Sequence, residues 1–127
     1  CVFGRVDYSG SLGISRDNIE NTTLTNDILE VAQLSKSKNL ELVVGGGISN
    51  KSIETLRKIK NIHLTRFETR KIVFSSEALD LKDIEKGLSL AVEFELLWLK
   101  NKRQFYSQIY IEDESRINML EKRSNNF

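Results

Sequence analysis

The stretch LELVVGGGIS, residues 40–49, decides the expected fold. Its first half is apolar apart from one glutamate, as in a short buried strand, and three consecutive glycines end that strand abruptly. The residues that follow carry apolar side chains at helical spacing, which form the inward stripe Ile53, Leu56 and Ile59. Residues 40–59 therefore predict a strand that leads directly into an amphipathic helix.

The same unit repeats on both sides of this stretch. Apolar segments at residues 1–6 and 62–67 predict strands, and residues 25–38 have the periodicity of a helix. Strands that alternate with amphipathic helices indicate a parallel sheet, either open or closed into an eight-stranded barrel. A full barrel needs roughly 250 residues, and this chain begins inside an apolar run. We therefore expect the C-terminal half of a (β/α)8 TIM barrel, its last three βα units, over residues 1–79.

Residues 80–127 are expected to form an additional C-terminal helical arm. One helix is predicted from Asp80 to about Arg103, and a second over residues 104–122. Because the first helix is apolar around most of its circumference, it must be buried on more than one side. We expect the arm to pack on the barrel, on a partner subunit or on both, which predicts a homo-oligomer joined through the C-terminal helices.

The composition narrows the classes of partner and the compartment. The 127 residues hold 19 Lys and Arg against 18 Asp and Glu, so there is no electrostatic reason to expect nucleic acid or an anionic membrane as partner. Cys1 is the sole cysteine, which excludes an internal disulfide and suits a reducing compartment. We therefore expect a cytoplasmic protein that binds neither nucleic acid nor membrane.

Asp7 is the strongest candidate for chemistry because it lies where the first predicted strand ends and a predicted loop, residues 7–13, begins. Barrel enzymes place their sites at that end of the strands, and a carboxylate there suits Mg²⁺, which prefers oxygen ligands. The structural alternative is that Asp7 only caps a turn into the loop.

Arg5 and Arg70 are candidate clamps for a carboxylate or phosphate group, since a guanidinium presents a planar fork of donors. Arg5 falls inside an apolar segment, where an unpaired charge is costly. Glu68 is a structural partner for either arginine, so an ion pair is the alternative for both Arg5 and Arg70. Gly46 and Gly47 lead into a helix N-terminus that can hold an anion, although these glycines can equally serve a sharp turn with positive φ.

Four segments in this order are similar to one family. Gly4–Gly13 (GRVDYSGSLG) resembles the G-x-x-D-L-S-x-S-x-G stretch of the aldolase/citrate lyase (HpcH/HpaI-type) family. Gly45–Ser49 (GGGIS) and Arg66–Lys71 (RFETRK) are similar to the ends of the next two barrel strands in one branch of that family. Phe94–Lys102 (FELLWLKNK) is similar to the arm of the same branch.

The resemblance implies a barrel that uses a divalent metal, Mg²⁺ or Mn²⁺, to cleave or form carbon–carbon bonds in 2-oxo acids or acyl-CoA substrates. The family's metal-binding Glu lies on a preceding strand that this chain does not contain, so we expect the chain to be inactive alone. With this resemblance the candidate site comprises the metal ligand Asp7, the catalytic residues Arg5 and Arg70, and the substrate-binding residues Gly4, Ser9, Gly46, Gly47 and Glu68.

Three functions are compatible with these residues. The leading hypothesis is a metal-dependent carbon–carbon lyase of the aldolase/citrate lyase type. The second is a phosphate-binding TIM-barrel isomerase or synthase that uses Gly45–Ser49 as its anion site. The third is a non-catalytic assembly module in which the apolar arm around Trp98 joins subunits.

Overall fold

The computed structural model describes residues 1–125. Short strands and helices occupy the first part of the chain, and one long helix forms its last part. Short 3₁₀ helices lie at Arg16–Asn18, Asn50–Ser52 and Ser76–Asp80. The strands and α-helices are β1 (Val2–Gly4), α1 (Arg5–Ser11), α2 (Thr22–Ser37), β2 (Val43–Gly45), α3 (Ile53–Ile62), β3 (Arg66–Glu68), β4 (Val73–Ser75) and α4 (Ile84–Ser124).

The strands form one mixed sheet in the order β1-β2-β3-β4. β1, β2 and β3 are parallel, with Phe3 opposite Val44 and Val44 opposite Phe67, whereas β4 runs antiparallel to β3. The prediction of a TIM-barrel half, the last three βα units of a (β/α)8 barrel, is therefore wrong. The parallel strands belong to a small mixed sheet in which an antiparallel strand follows β3.

The sheet departs from the barrel pattern at the turn after β3. The Thr69 N–H donates to the carbonyl of Ile72 at 2.9 Å, and the Ile72 N–H donates to Oγ1 of Thr69 at 3.1 Å. A turn this short returns the chain beside β3, because a further parallel strand requires a crossover of a dozen or more residues. The stacked rings of Phe67 and Phe74, with centroids 5.0 Å apart, hold β4 in register.

α2 and α3 supply much of the buried apolar surface. Asn21 caps α2 by accepting a hydrogen bond from the Thr23 N–H at 2.7 Å. The inward face of α2 repeats every four residues, with Leu24, Ile28 and Ala32 fully buried. The stripe predicted for α3 is confirmed, since Ile53, Leu56 and Ile59 all lie in the core.

The segment predicted as a loop over residues 7–13 is mostly helical, because α1 begins directly after β1. The turn-forming serines are accommodated within this helix: Oγ of Ser9 donates to the carbonyl of Val6 at 2.8 Å. Arg5 consequently begins the helix instead of lying inside a strand.

Tyr8 links α1 to α2 by a hydrogen bond, and we expect its hydroxyl to lose its proton at a higher pH than an ordinary tyrosine. Its hydroxyl donates to Oδ2 of Asp27 at 2.8 Å, and this hydrogen bond, followed by burial, raises the pKa of Tyr8 above the ordinary 10.0. Because the folded protein holds this proton more tightly than the unfolded chain does, the hydrogen bond stabilises the fold fully at pH values below the pKa of Tyr8 in the unfolded chain. That stabilisation is lost as the pH rises through the higher pKa of Tyr8 in the folded protein. We expect Asp27→Asn to lower the pKa of Tyr8, measured by NMR titration of the tyrosine rings. The exposed Asp17→Asn serves as control, and an unchanged pKa in Asp27→Asn would contradict the assignment.

The two helices predicted over residues 80–122 are in fact one, since α4 is a continuous helix of 41 residues. Neither Gly nor Pro occurs after Gly87, so the sequence contains no strong helix breaker there. The chain divides into a compact unit, Cys1–Glu93, and a second unit that begins at Phe94. Among residues 1–125, no helix combines the length and the apolar character needed to cross a membrane.

Candidate functional site

Two glycines and a glutamate lie side by side at the carboxyl ends of the parallel strands. Gly4 of β1 is opposite Gly45 of β2, and Gly45 is opposite Glu68 of β3. The Glu68 side chain lies over Gly45, since a methyl group on Gly45 would meet Cγ of Glu68 at 2.9 Å and its Oε1 at 3.1 Å. The missing side chain of Gly45 therefore provides the space that the Glu68 carboxylate occupies.

Asp7 brings a second carboxylate to the neighbouring glycine, Gly4. This residue is exposed in the first turn of α1, and its Oδ2 lies 3.6 Å from the position that a methyl group on Gly4 would take. Residues in register on neighbouring strands project to one face of a sheet, and such strands are about 4.8 Å apart. The carboxylates of Asp7 and Glu68 thus lie on one face, above a floor formed by Gly4 and Gly45.

This carboxylate pair fits a hydrated divalent cation. Within residues 1–125, no group of three or more His, Cys, Asp or Glu side chains is arranged to hold a metal ion. Mg²⁺, however, usually keeps several waters and binds through one or two carboxylates together with oxygens of the substrate. Asp7 and Glu68 match that donor set in chemical type and in number.

Arg5 is completely buried, and its guanidinium bonds to other parts of the protein. Nε donates to the carbonyl of Gly46 and Nη2 to that of Gly47, both at 2.9 Å. Nη1 forms an ion pair with Glu20, also at 2.9 Å, and not with Glu68. These bonds make Arg5 a clamp between α1 and the glycine loop, whereas the sequence suggested a group that meets the substrate.

The glycine loop adopts the backbone that sequence reasoning favoured. Gly46 and Gly47 have φ of +94° and +62°, so the expected positive-φ turn is confirmed. A methyl group on Gly46 would lie 2.8 Å from a backbone nitrogen of α1, which shows how closely the loop passes over that helix. The carbonyls of the loop accept bonds from Arg5, so the loop presents negative dipole ends to a buried cation. This arrangement does not favour an anion site in the same loop.

The remaining predicted residues, Ser9 and Arg70, lie in different environments. Ser9 is buried and its hydroxyl is bonded within α1, while Arg70 is exposed on the turn after β3, two residues beyond Glu68. Two groups result from the predicted set: a carboxylate pair with its glycine floor, and a buried clamp with its loop. Their members are Gly4, Asp7 and Glu68 in the first group, and Arg5, Gly46 and Gly47 in the second.

Sequence patterns did not reveal Glu20, which completes the buried clamp. Its carboxylate accepts hydrogen bonds from Arg5, from Oγ of Ser52 at 2.8 Å and from Oγ1 of Thr55 at 3.0 Å. Glu20 lies in a polar stretch without helical or strand periodicity. The one available signal was an arginine in an apolar segment, which requires an acidic partner but does not say where in the sequence that partner lies.

No protein-family model, curated protein or solved structure matches this chain. The resemblance of its four segments to the aldolase/citrate lyase family stays a prediction.

Proposed function

We propose that Asp7 and Glu68 bind a divalent cation, and that this site serves carbon–carbon lyase chemistry of the aldolase/citrate lyase type on a 2-oxo acid or acyl-CoA substrate. The observation that carries the proposal is the position of the two carboxylates above neighbouring glycines at the carboxyl ends of parallel strands. Ligands of open α/β sheets commonly bind beyond those strand ends. The family resemblance of the segments that contain both residues also supports the proposal.

Different residues of the chain have different roles at such a site. The absence of a side chain at Gly4 lets a small planar substrate approach the backbone beside Asp7, whereas the space over Gly45 holds the Glu68 side chain. Arg70, exposed two residues after Glu68, offers a guanidinium fork for the carboxylate of the substrate. When bound, Mg²⁺ or Mn²⁺ supplies a Lewis acid that polarises the carbonyl of a 2-oxo acid. Arg5 acts at a distance from these groups by holding the glycine loop.

The alternative of a phosphate-binding enzyme has less support. Its anion site was expected at Gly45–Ser49, where free backbone N–H groups would be needed. The Ser49 N–H is already bonded to Oγ of Ser52 at 3.1 Å, and the Lys51 N–H to Oγ of Ser49 at 3.3 Å. These donors are therefore engaged by the protein itself.

Cation binding is tested with Mn²⁺ and the full chain by electron paramagnetic resonance. We expect one site, and we expect Asp7→Asn and Glu68→Gln each to weaken binding by at least about tenfold, because each removes one of two charged ligands. Asp7 is exposed and Glu68 is half-buried, so neither change should unfold the protein. The control is Glu54→Gln, an exposed residue paired with Lys58 on α3. An equal loss in the control would contradict the site.

The chemistry is tested separately by the Mg²⁺-dependent exchange of pyruvate methyl protons with D₂O, followed by NMR. Loss of a methyl proton from pyruvate gives the same enolate that carbon–carbon bond cleavage produces in this class of lyase, so exchange reports on enolate stabilisation. The sequence predicted an inactive chain because the resemblance placed a second metal-binding carboxylate on a strand that is not present. In the proposed site Glu68 supplies that carboxylate, so we expect exchange in the wild type and its loss in Asp7→Asn. Mn²⁺ binding without exchange would reject the lyase chemistry and leave the metal site standing, whereas absence of Mn²⁺ binding would reject both.

A further inference from the structure

The part of α4 that begins at Phe94 carries an exposed apolar seam with a heptad repeat. Eight positions separated alternately by three and four residues define the seam, and six of them are apolar. The apolar members are between 44% and 67% exposed. The seam consists of Leu96, Leu99, Arg103, Tyr106, Tyr110, Asp113, Ile117 and Leu120.

This repeat is the pattern of a coiled coil. A spacing of 3.5 residues keeps a stripe of side chains on one side of two helices that wind around each other. The seam is long enough for eight successive layers, and its large side chains are exposed in the isolated chain. A partner helix would remove them from water.

We propose that residues 96–120 form an antiparallel coiled coil with the same segment of a second copy of this chain. The two-fold axis would pass beside Gln108, so that residues equally far before and after it face each other. Leu96 then packs on the partner's Leu120, Leu99 on the partner's Ile117, and Tyr106 on the partner's Tyr110. Every layer pairs an a position with a d position, as antiparallel packing of two heptads requires.

The two charged members of the seam select this orientation. Antiparallel packing brings Arg103 opposite the partner's Asp113, so the two polar layers are ion pairs. Parallel packing in register would instead bring Arg103 against Arg103 and Asp113 against Asp113, and like charges facing each other in an interface are strongly unfavourable. Within residues 94–125, neither side chain has an ion-pair partner in its own chain.

Residues that flank the seam add further charge complementarity. In the same register Lys100 lies beside the partner's Glu114, and Glu95 lies beside the partner's Arg123. Lys102 meets a like charge, Arg116, across the interface. Its ammonium, however, lies over the Trp98 ring of its own helix at 5.2 Å.

The charge of this segment also favours a protein partner over a lipid surface. Residues 94–125 contain six Lys and Arg against five Asp and Glu, and the two signs are interspersed. Helices that bind anionic membranes carry a polar face rich in Lys and Arg. A second copy of the chain satisfies both signs at once. This inference goes beyond the proposed lyase function and does not depend on it.

The association is tested on the full chain by analytical ultracentrifugation. The wild type is expected to dimerise, and Arg103→Asp is expected to raise the dimer Kd by about a hundredfold, since two layers become like-charge pairs. The double variant Arg103→Asp/Asp113→Arg reverses both ion pairs and is expected to restore the dimer. The control Lys122→Asp makes the same charge change outside the seam and should leave the Kd within about threefold.

The orientation is tested by disulfide formation in a Cys1→Ser background. Leu96→Cys and Leu120→Cys chains are expected to cross-link when mixed and to remain reduced when separate. In an antiparallel dimer two copies of position 96 lie roughly 36 Å apart. Cross-linking of Leu96→Cys with itself would overturn the proposal. So would a monomeric wild type at high micromolar concentration, including one that binds anionic vesicles instead.

Discussion

Replacing Arg5 by Met is expected to lower the free energy of unfolding by about 3–5 kcal/mol. The Arg5 guanidinium is fully buried and donates to the carbonyls of Gly46 and Gly47 as well as to Glu20. Methionine fills much of the volume but leaves both carbonyls without these donors. It also leaves the Glu20 side chain, 29% exposed, without its cation. Urea unfolding followed by circular dichroism measures the loss.

The matched control is Arg70→Met, the same chemical change at an exposed turn. We expect it to alter stability by no more than about 0.5 kcal/mol. Arg5→Met combined with Glu20→Met should be less destabilised than the sum of the two single variants, because the two side chains interact directly. Equal stability of the Arg5→Met and Arg70→Met proteins would show that Arg5 is not a clamp.

Gly46→Ala is expected to destabilise the protein by about 3 kcal/mol, from backbone strain and steric overlap together. Gly46 has φ of +94°, a conformation that alanine adopts only with strain. The new methyl group would also lie 2.8 Å from the backbone nitrogen of Val6 and 2.9 Å from that of Arg5. Neither nitrogen can move without displacing the start of α1. Thermal unfolding monitored by circular dichroism measures the effect.

Gly10→Ala introduces the same methyl group in a permissive place. Gly10 lies within α1, and an added Cβ meets nothing within 4 Å. Alanine is favoured over glycine in a helix, so we expect a gain of about 0.5–1 kcal/mol. A Gly46→Ala protein as stable as Gly10→Ala would mean that the loop shifts freely over α1.

Periodicity over a whole helix was enough to predict several elements. Ile53, Leu56 and Ile59 identify the buried face of α3 because a helix repeats its facing over many residues. The three consecutive glycines at positions 45–47 likewise predict the positive φ of Gly46, since only glycine adopts such a backbone without strain. Both features are set by residues that lie close together along the chain, so the local sequence predicts them.

Strand β4 was not predicted from the sequence, and the barrel prediction failed for that reason. β4 holds only Val73, Phe74 and Ser75, too short for alternation to distinguish it from a loop. Its pairing depends on the contact of Phe74 with Phe67 and on the turn at Thr69. Without that strand in view, the order of strands and helices suggested a longer series of parallel units.

In the candidate site, too, the sequence predicted some features and the tertiary structure set the others. The sequence alone placed Asp7 and Glu68 near the ends of predicted strands, and the register of β1, β2 and β3 then set both carboxylates above Gly4 and Gly45.

By itself the sequence determined the helical periodicity of α2 and α3 and the glycine turn, because these follow from interactions between residues a few positions apart. The tertiary structure alone decided that the sheet ends in an antiparallel strand and that Arg5 binds Glu20 and the loop carbonyls. Hydrogen bonds and ion pairs between distant segments form only where folding brings their atoms within about 3 Å, and no local pattern specifies that approach.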